Sequence, residues 1–400
     1  MSDPDDELAD VRALLPGEEL RALESLHDTE RTSVLRVRAT DADGGHRGLI
    51  VKRVYDPAAW RRESAALASV PGAVRVPAVI AAAPGVLVLE DLGSGPSVAD
   101  ALLGDDPAEA SEAVIGWAEA LAEVHCATRG TLETFRAELA RAEAALAEGQ
   151  PATEPTLISE VEADADAVAA TDVPDTDAWL PERIREAERL LDRQCGALGV
   201  TIPAGALAEF TGLAGRLGAT GAAAGTAALT PADACPDNNV RIGDRVVLID
   251  FGGAQWTHLA WDVAYLLVPW PTCWCAWRIP ADVRAAALER YRAVAAQAFP
   301  EVADDAFLRD VEAAAVGWCM LSAAFTLDHA LGPEPELDQQ IELTRPSPRR
   351  RALVMNRLRR AAGYGELPAL AELADGLSTE LQRRWGDVPL DVAPAFRAGR

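Results

Sequence analysis

Two hydrophobic patterns divide the chain into a short strand-rich part and a longer helix-rich part. Residues 34–38 alternate between apolar and polar side chains, and residues 48–54 and 86–89 form short apolar runs, so these segments are predicted to be strands of a small sheet. From residue 97 onward, apolar side chains recur mostly at helical spacing, as they do in residues 111–125. The pattern therefore predicts a small sheet followed by a large helical region.

A lysine interrupts the second predicted strand. Lys52 lies in the middle of the apolar run, where an ammonium group is costly to bury unless it is paired. Residues 60–67 are predicted to form a helix, and this helix carries Glu63 as a partner. A strand lysine braced by a helix glutamate binds nucleotide phosphates in kinases. A lysine at a strand edge and an exposed glutamate explain the same residues, so the choice depends on the rest of the chain.

The clearest local pattern is a β-hairpin made by residues 240–242 and 245–249. The Gly-Asp pair between the two runs suits a two-residue turn. A loop of this length sets the register of the strands, so Asn238 falls beside Asp250. The hairpin is therefore predicted to bring an amide and a carboxylate together at one end, with Asp233 on the loop that leads into it.

These three polar side chains suit Mg²⁺ and a substrate that carries phosphate. Mg²⁺ is usually held by one or two protein carboxylates together with phosphate oxygens. In kinases one Asp orients the acceptor hydroxyl and takes its proton, while an Asn and the Asp of Asp-Phe-Gly hold the metal. Asp233, Asn238 and Asp250 match these three roles in order and spacing. Asp-Phe-Gly alone would also fit an ordinary exposed hairpin, but the combination favours a site.

The segment that contains these residues resembles the catalytic loop and metal loop of the aminoglycoside phosphotransferase family. That family usually has His-Gly-Asp, four further residues and an Asn, followed later by Ile-Asp-Phe or Ile-Asp-Trp. This chain has Pro231-Ala232-Asp233, so the family histidine is missing while the rest of the segment matches. The resemblance covers about residues 20 to 330. It implies an α/β (α+β) fold of the two-lobed, protein-kinase-like kind, with a small N-terminal sheet lobe and a large, mainly helical C-terminal lobe.

The resemblance also divides the chain into three parts. Residues 1–20 would be an acidic N-terminal extension, and residues 21–93 would be the N-lobe, a β-sheet with one helix. Residues 94–400 would be the helical C-lobe, with the catalytic loop and hairpin at residues 229–252.

The activity that the resemblance implies is ATP-dependent transfer of the γ-phosphoryl group to a hydroxyl of a small molecule. Asp233 would orient and deprotonate the acceptor, and Asn238 and Asp250 would hold Mg²⁺. Lys52 would bind the phosphates, with Glu63 as its brace at a cleft where an unpaired Glu63 could still reach water. Family members phosphorylate aminoglycosides, choline, amino acids, sugars and other antibiotics, so the acceptor is not identified. The missing histidine and the missing glycine loop support an alternative, a catalytically weak kinase-like protein that binds nucleotide or a partner.

Four further residues are assigned to ATP by the resemblance alone. Thr32 and Ser33 stand in the turn whose Ser or Thr often contacts phosphates in the family. This sequence has no kinase-type glycine loop there, and a plain polar turn fits equally well. Glu90 and Leu92 correspond to the hinge between the lobes, where backbone groups would hydrogen-bond to adenine.

The resemblance gives structural roles to two other residues. His125 corresponds to a histidine at the end of a family helix and is expected to be structural. Asp262 matches a family aspartate that hydrogen-bonds to the backbone of the catalytic loop, although an Asp favoured by the helix dipole would need no such role. Five tryptophans between residues 256 and 277 fit either an acceptor pocket or the core.

Composition limits the partners and the location. The hydrophobic content of 49% supports a sizeable core, and the net charge of −26 argues against a nucleic-acid partner, because phosphate backbones would be repelled. The acidic N-terminus lacks the features of a Sec signal, and no apolar run approaches the length that spans a bilayer. We therefore expect a cytoplasmic protein that contacts neither nucleic acid nor a membrane.

The six cysteines are scattered along the chain and are expected to be reduced thiols. Cys273-Trp274-Cys275 resembles half of a metal site, but no His or Cys pair at ligand spacing completes it in the sequence. The cysteines are therefore expected to act as small buried side chains.

Overall fold

A computed structural model of the chain describes residues 8–72, 74, 76–149, 179–218, 225–268, 270–333 and 347–397. Its N-terminal part is a five-stranded antiparallel sheet with the strand order β1-β2-β3-β5-β4. The strands are β1 (Glu19–Asp28), β2 (Thr32–Thr40), β3 (His46–Val54), β4 (Val79–Ala83) and β5 (Val86–Glu90). Two helices belong to this part, α1 (Ala9–Leu14) and α2 (Pro57–Ser69).

The three strands predicted from the hydrophobic pattern are present, and the sheet contains two more. Both additional strands, β1 and β4, lie at the edges of the sheet, where only one neighbour pairs with them. In β1 only Leu20 is fully buried, and its pairing with β2 has two register shifts. An edge strand with so little buried surface has no alternating apolar pattern, so the sequence gives little sign of it.

The rest of the chain is mainly helical and carries two short two-stranded sheets. In one sheet β6 (Ala227–Thr230) pairs with β9 (Gln255–His258), and in the other β7 (Asn239–Ile242) pairs with β8 (Arg245–Leu248). The helices are α3 (Val98–Leu103), α4 (Pro107–Thr128), α5 (Leu132–Gly149), α6 (Trp179–Leu198), α7 (Ala206–Arg216), α8 (Ala260–Val263), α9 (Ala281–Ala295), α10 (Asp305–Leu331), α11 (Arg350–Ala362) and α12 (Pro368–Trp385). This arrangement confirms the predicted fold class, a small sheet lobe followed by a larger helical lobe.

The predicted hairpin forms with the predicted register. Arg241 pairs with Val246, and the Ile249 N–H donates to the Asn238 carbonyl over 3.2 Å. Gly243 in the turn has a φ of 63°, a conformation that glycine adopts without steric cost.

The longest helix corrects one expectation. By length and composition α10 could cross a membrane, whereas no such run was expected from the sequence. Within the protein, 78% of its apolar window is buried, so α10 is the central helix of the large lobe.

Most of the clustered tryptophans belong to the core. Trp261 and Trp270 are at most 2% exposed, and Trp270 packs edge-on against Trp117 with ring centroids 5.0 Å apart. Trp274 is only partly buried. The core interpretation therefore holds for most of the cluster.

His258, at the end of β9, makes the stability of the fold depend on pH. Its ring is 2% exposed, and its Nδ1 accepts a hydrogen bond from the Ala260 N–H over 3.1 Å, so the buried imidazole is neutral. Burial lowers the pKa of His258 to about 4, against the opposing effect of Asp310, whereas an unfolded histidine titrates near 6.5. The unfolded chain therefore takes up a proton first as the pH falls. The stability that His258 contributes above about pH 6.5 is lost as the pH falls towards 4.

We expect the unfolding free energy to fall by roughly 2 kcal/mol between pH 7 and pH 5 on account of this residue. Denaturant titrations at the two pH values measure the difference. In His258→Asn the amide oxygen can still accept from Ala260 but does not titrate, so its pH dependence should be smaller by about that amount. Equal pH dependences in parent and variant would contradict the assignment.

Candidate active site

Lys52 on β3 and Glu63 on α2 form a buried ion pair. The Lys52 Nζ lies 2.7 Å from Glu63 Oε1, and the two residues are 8% and 0% exposed. Helix α2 follows β3 closely because Asp56 caps its first turn, accepting from the Ala58 N–H, and Pro57 occupies a position that needs no donor. The predicted pair is therefore present, and the alternative of an exposed glutamate is wrong.

Asp250 joins this pair at the end of the β7–β8 hairpin. Its Oδ1 lies 3.2 Å from Lys52 Nζ, and 42% of its side chain is exposed. Burial lowers the pKa of Lys52, but the carboxylates of Asp250 and Glu63 together raise it more, so the pKa lies above its ordinary value. Burial raises the pKa of Asp250, but Lys52 and the hydrogen bond from the Gly252 N–H together lower it more, so the pKa lies below its ordinary value. Lys52 is therefore a cation held between two carboxylates.

The loop after Asp250 is fixed from two sides. The Gly252 N–H donates to Asp250 Oδ1 over 3.0 Å, and Arg62 of α2 donates from Nε to the Gly252 carbonyl over 2.9 Å. On the other side, a Cβ placed on Gly253 would lie 3.1 Å from the Pro231 carbonyl oxygen. The glycine lets this loop pack tightly against the loop that carries Asp233.

Three donors orient the Asp233 carboxylate. Its Oδ1 accepts from Thr272 Oγ1 over 2.6 Å and from Cys235 Sγ over 3.0 Å. Its Oδ2 accepts from Asn238 Nδ2 over 3.1 Å, and the same Nδ2 donates to the Asp233 carbonyl over 2.8 Å. With one described donor on Oδ2, a lone pair remains for the proton of an acceptor hydroxyl.

The surroundings of Asp233 make it a stronger base than an ordinary carboxylate. Burial raises its pKa to about 6, the nearby charge of Asp250 adds to this rise, and the hydrogen bonds from Thr272 and Cys235 oppose it. A group with this pKa is mostly deprotonated at neutral pH and can still accept a proton effectively.

Asn238 and Asp250 offer the donor set that a hard cation requires. Because Asn238 Nδ2 donates to Asp233, the amide oxygen of Asn238 faces the other way and is left as an oxygen ligand. Asp250 presents a half-exposed carboxylate at the same end of the hairpin. Oxygen ligands from one carboxylate and one amide, with room for waters or phosphate, fit Mg²⁺.

The loop before Asp233 has a strained backbone, and a hydrogen bond from Tyr265 supports it. Ala232 has a φ of 60°, which is unfavourable for a residue with a Cβ and is found mainly where the surrounding structure enforces it. The Tyr265 hydroxyl donates to the Ala232 carbonyl over 3.2 Å and lies 2.9 Å from Thr272 Oγ1. Tyr265 therefore holds the backbone of this loop, which contains Pro231.

The role expected for Asp262 is wrong, and the role expected for His125 is confirmed. Asp262 Oδ2 lies 3.1 Å from His125 Nε2, and His125 Nδ1 lies 2.8 Å from the Tyr291 hydroxyl. The imidazole is fully buried and structural. In this segment it is Tyr265, about one helical turn after Asp262, that donates to the backbone of the loop before Asp233.

The loop that carries Thr272 is anchored by two C-terminal helices. The Pro271 carbonyl accepts from Ser322 Oγ of α10 over 3.0 Å and from Arg357 of α11 over 3.1 Å. Ser322 and Arg357 are at most 2% exposed. Helices distant in the sequence therefore set the position of the donor to Asp233.

The two residues assigned to the phosphate turn lie at the start of a strand. Thr32 and Ser33 are the first residues of β2, paired with Val54 and Arg53 of β3, and the turn itself is residues 29–31. The expectation that they lie in the turn is corrected by this register. Their contact with phosphates stays a prediction.

The predicted hinge is the segment between β5 and α3. The Glu90 N–H donates to the Ala78 carbonyl over 2.9 Å, so adenine could use only the carbonyl of Glu90 together with the backbone of Leu92. Further along, a Cβ on Gly95 would lie 1.9 Å from the Arg241 carbonyl oxygen, so only glycine permits this approach.

Several residues at the site were not predicted from the sequence. They act by hydrogen bonds to backbone or to Asp233, and no motif marks them: Arg62, Cys235, Asn239, Tyr265 and Thr272. Asn239 is an example, because its Oδ1 accepts from the Val98 N–H at the start of α3 over 2.9 Å.

Comparison with known proteins gives likenesses of structure only. No family model and no curated protein sequence matches the chain. Its structure is similar to that of an amicoumacin kinase in complex with AMP-PNP and Ca²⁺, at 12% identity over 92% of this chain and 96% of that one, with a TM-score of 0.46. It is also similar to a Plasmodium vivax ethanolamine kinase, at 11% identity over 92% of this chain and 88% of that one, with a TM-score of 0.47.

A third similar structure is a macrolide 2'-phosphotransferase from Brachybacterium faecium, at 15% identity over 91% of this chain and 97% of that one, with a TM-score of 0.42. Aminoglycoside phosphotransferases are among the similar structures, as the sequence resemblance predicted. The identities are low and these TM-scores lie below 0.5, so the function is argued from the site itself.

Proposed function

We propose that the protein is an ATP-dependent phosphotransferase that moves the γ-phosphoryl group of ATP to a hydroxyl of a small molecule. The observation that carries the proposal is the position of Asp233. Three donors fix its carboxylate, its pKa is raised to about 6, and it lies next to the loop that pairs Asp250 with Lys52. The proposed base thus lies next to the loop whose Asp250 is paired with Lys52 of β3.

Each polar group of the site has a role in this reaction. Asp233 would orient the acceptor hydroxyl and accept its proton at Oδ2. Lys52, held in place by Glu63, would bind the phosphates. Asn238 and Asp250 would hold Mg²⁺, which when bound neutralises charge on the phosphates. Phosphoryl transfer depends mainly on positioning and electrostatic stabilisation, and these few groups supply both.

The second candidate is a kinase-like protein that binds nucleotide or a partner but transfers phosphate weakly. Its support is Pro231, which stands where the family has histidine. The contact between Tyr265 and the Ala232 carbonyl favours the enzyme, because it supplies support to the loop without the histidine. The cytoplasmic location and the absence of nucleic-acid and membrane partners stay predictions.

Binding of Mg²⁺ with ATP is the first test. With ATP at about 100 times its Kd, binding should stabilise the folded state by about 2.7 kcal/mol, measured as a shift in Tm that requires Mg²⁺. Asp250→Ala should abolish this shift without unfolding the protein, because its side chain is half exposed. Asp244→Ala is the matched control, since it removes an exposed carboxylate from the turn of the same hairpin. A normal shift in Asp250→Ala would refute the metal assignment.

The acceptor is sought by ATP consumption over a panel of small hydroxyl compounds. Aminoglycosides, choline, amino acids, sugars and macrolides represent the main chemical classes. Mg²⁺-dependent ATP binding without any turnover across such a panel, and without ATPase activity, would favour the second candidate.

A further inference from the structure

A second group of metal-ligating side chains lies beside the catalytic loop. This thiol cluster consists of Cys235, Cys273, Cys275 and Asp237. The ligand atoms of Cys235, Cys273 and Asp237 all lie within 4.8 Å of one another, and the sulfur of Cys275 lies 2.9 Å from that of Cys273. The three cysteines are free thiols and at most 3% exposed, whereas Asp237 is half-buried.

The fold places a second pair of candidate metal ligands next to the first pair. Cys273-Trp274-Cys275 has no ligand pair at a recognisable spacing, but the loop that holds Asp233 places Cys235 and Asp237 next to it. Each of the two loops thus contributes two candidate ligands separated by one residue. The cysteines are buried, as expected, but they face a carboxylate, which purely apolar packing does not require.

Groups around the thiol cluster hold its members in place. The Trp274 Nε1 donates to Asp237 Oδ2 over 2.5 Å, and Cys273 Sγ donates to Asp237 Oδ1 over 3.4 Å. Cys235 Sγ lies 3.3 Å from Thr272 Oγ1. The bond from Trp274 would remain with an ion bound, and hydrogen bonds of this kind to ligand groups commonly orient metal sites.

We propose that the thiol cluster binds one thiophilic divalent cation of the Zn²⁺ class through the sulfurs of Cys235 and Cys273 and the carboxylate of Asp237, with Cys275 as the fourth ligand. Sulfur ligands select soft or borderline cations, whereas the oxygen ligands of Asn238 and Asp250 suit Mg²⁺. On binding, each coordinating thiol loses its proton to solvent and a metal–sulfur bond replaces the S–H bond.

The movements required of Cys235, Cys273 and Asp237 are small. Ligands of a tetrahedral Zn²⁺ with Zn–S bonds of about 2.3 Å lie about 3.8 Å apart. Shifts of about 1 Å would bring these three ligand atoms from within 4.8 Å to this separation. The Cys275 sulfur lies outside that group and would have to turn from the Cys273 sulfur towards the ion. Asp237 is the least buried member, so the ion would enter on its side.

Metal binding would also affect the catalytic carboxylate, a consequence that rests on the proposed function. The Cys235 thiol donates to Asp233 Oδ1 over 3.0 Å, and an ion at Cys235 would remove that proton. Asp233 would lose one of its three orienting donors. Low concentrations of Zn²⁺ should therefore inhibit phosphoryl transfer, and Cys273→Ser should weaken the inhibition.

Titration of the reduced full-length chain with Co²⁺ tests the site without reference to activity. Co²⁺ bound by thiolates has a charge-transfer absorption that oxygen ligands do not produce. We expect this absorption to saturate near one equivalent and to disappear when Zn²⁺ is added. Cys273→Ser and Asp237→Asn should each weaken Co²⁺ binding about tenfold or more. Two variants are used so that the test still works if one of them fails to fold.

Two controls locate the ion. Cys126→Ser removes a half-buried thiol elsewhere and should leave binding unchanged. Cys273→Ser leaves Asn238 and Asp250 intact, so an ion held at those oxygens would persist in that variant. No thiolate absorption in the parent, or equal binding in Cys273→Ser, would overturn the proposal. A thiol assay gives one further test. If the chain shows no cobalt absorption and loses two free thiols on oxidation, the cluster forms a disulfide and the proposal is overturned. None of these outcomes depends on ATP turnover.

Discussion

Asp233→Asn should lower the rate of acceptor phosphorylation by about 10²–10⁴-fold, the contribution typical of a general base. Asparagine has nearly the same shape, and its amide oxygen can still accept from Thr272 and Cys235. It cannot accept a proton, and its NH₂ group would face the donor group of Asn238. The loss should appear in kcat, measured with a saturating acceptor and detection of the phosphorylated product. The Tm shift produced by Mg²⁺ with ATP should remain.

Pro231→His is the companion variant, since it restores the residue typical of the family. Proline fixes φ and removes an N–H, but it does not touch the carboxylate of Asp233. Because Tyr265 already contacts the Ala232 carbonyl, the added imidazole should change the rate by less than about tenfold. If turnover is found only after Pro231→His, the natural chain is catalytically inactive and the proposed function fails.

Lys52→Ala should have the largest effect on stability, a loss of roughly 3–5 kcal/mol, in addition to weaker ATP binding. From the sequence, an unpaired Glu63 was expected to reach water at the cleft between the lobes. That expectation is wrong, because Glu63 is 0% exposed and would be left as a buried carboxyl without its partner. Denaturant unfolding of the parent and the variant measures the loss.

Lys52→Met combined with Glu63→Leu separates the structural role from the functional one. Replacing both members of a buried ion pair by apolar side chains is often neutral for stability, so the double variant should regain most of the lost free energy. It should still fail to use ATP. If Lys52→Ala unfolds like the parent, or if the double variant is no more stable than Lys52→Ala, the pair does not contribute as described.

Short-range features of this protein follow from its sequence. The register that joins Asn238 to Asp250 is set by a two-residue turn, and the Lys52–Glu63 pair is set by a strand followed directly by a capped helix. In both cases few residues separate the partners, so local geometry decides the contact.

Contacts that depend on tertiary packing could not be predicted in the same way. Thr272 donates to Asp233 across 39 residues of sequence, and nothing in its Pro-Thr-Cys surroundings marks it as part of the site. The resemblance placed the contact with the catalytic loop at Asp262, whereas the fold gives it to Tyr265. Several side chains on one short helical segment could each reach that loop, and only their packing decides which does.

The hydrogen bonds that Ser322 and Arg357 donate to the Pro271 carbonyl limit how far the chain can be shortened. Every residue proposed to bind nucleotide or Mg²⁺ or to accept the proton precedes residue 273, so the sequence suggests that a shorter fragment would be sufficient. Such a fragment would lose both donors to Pro271, and the Thr272 hydroxyl would no longer be held against Asp233. The chain as far as Arg357 therefore belongs to the proposed catalytic unit, and a premature stop before Ser322 would remove both donors while leaving every motif intact.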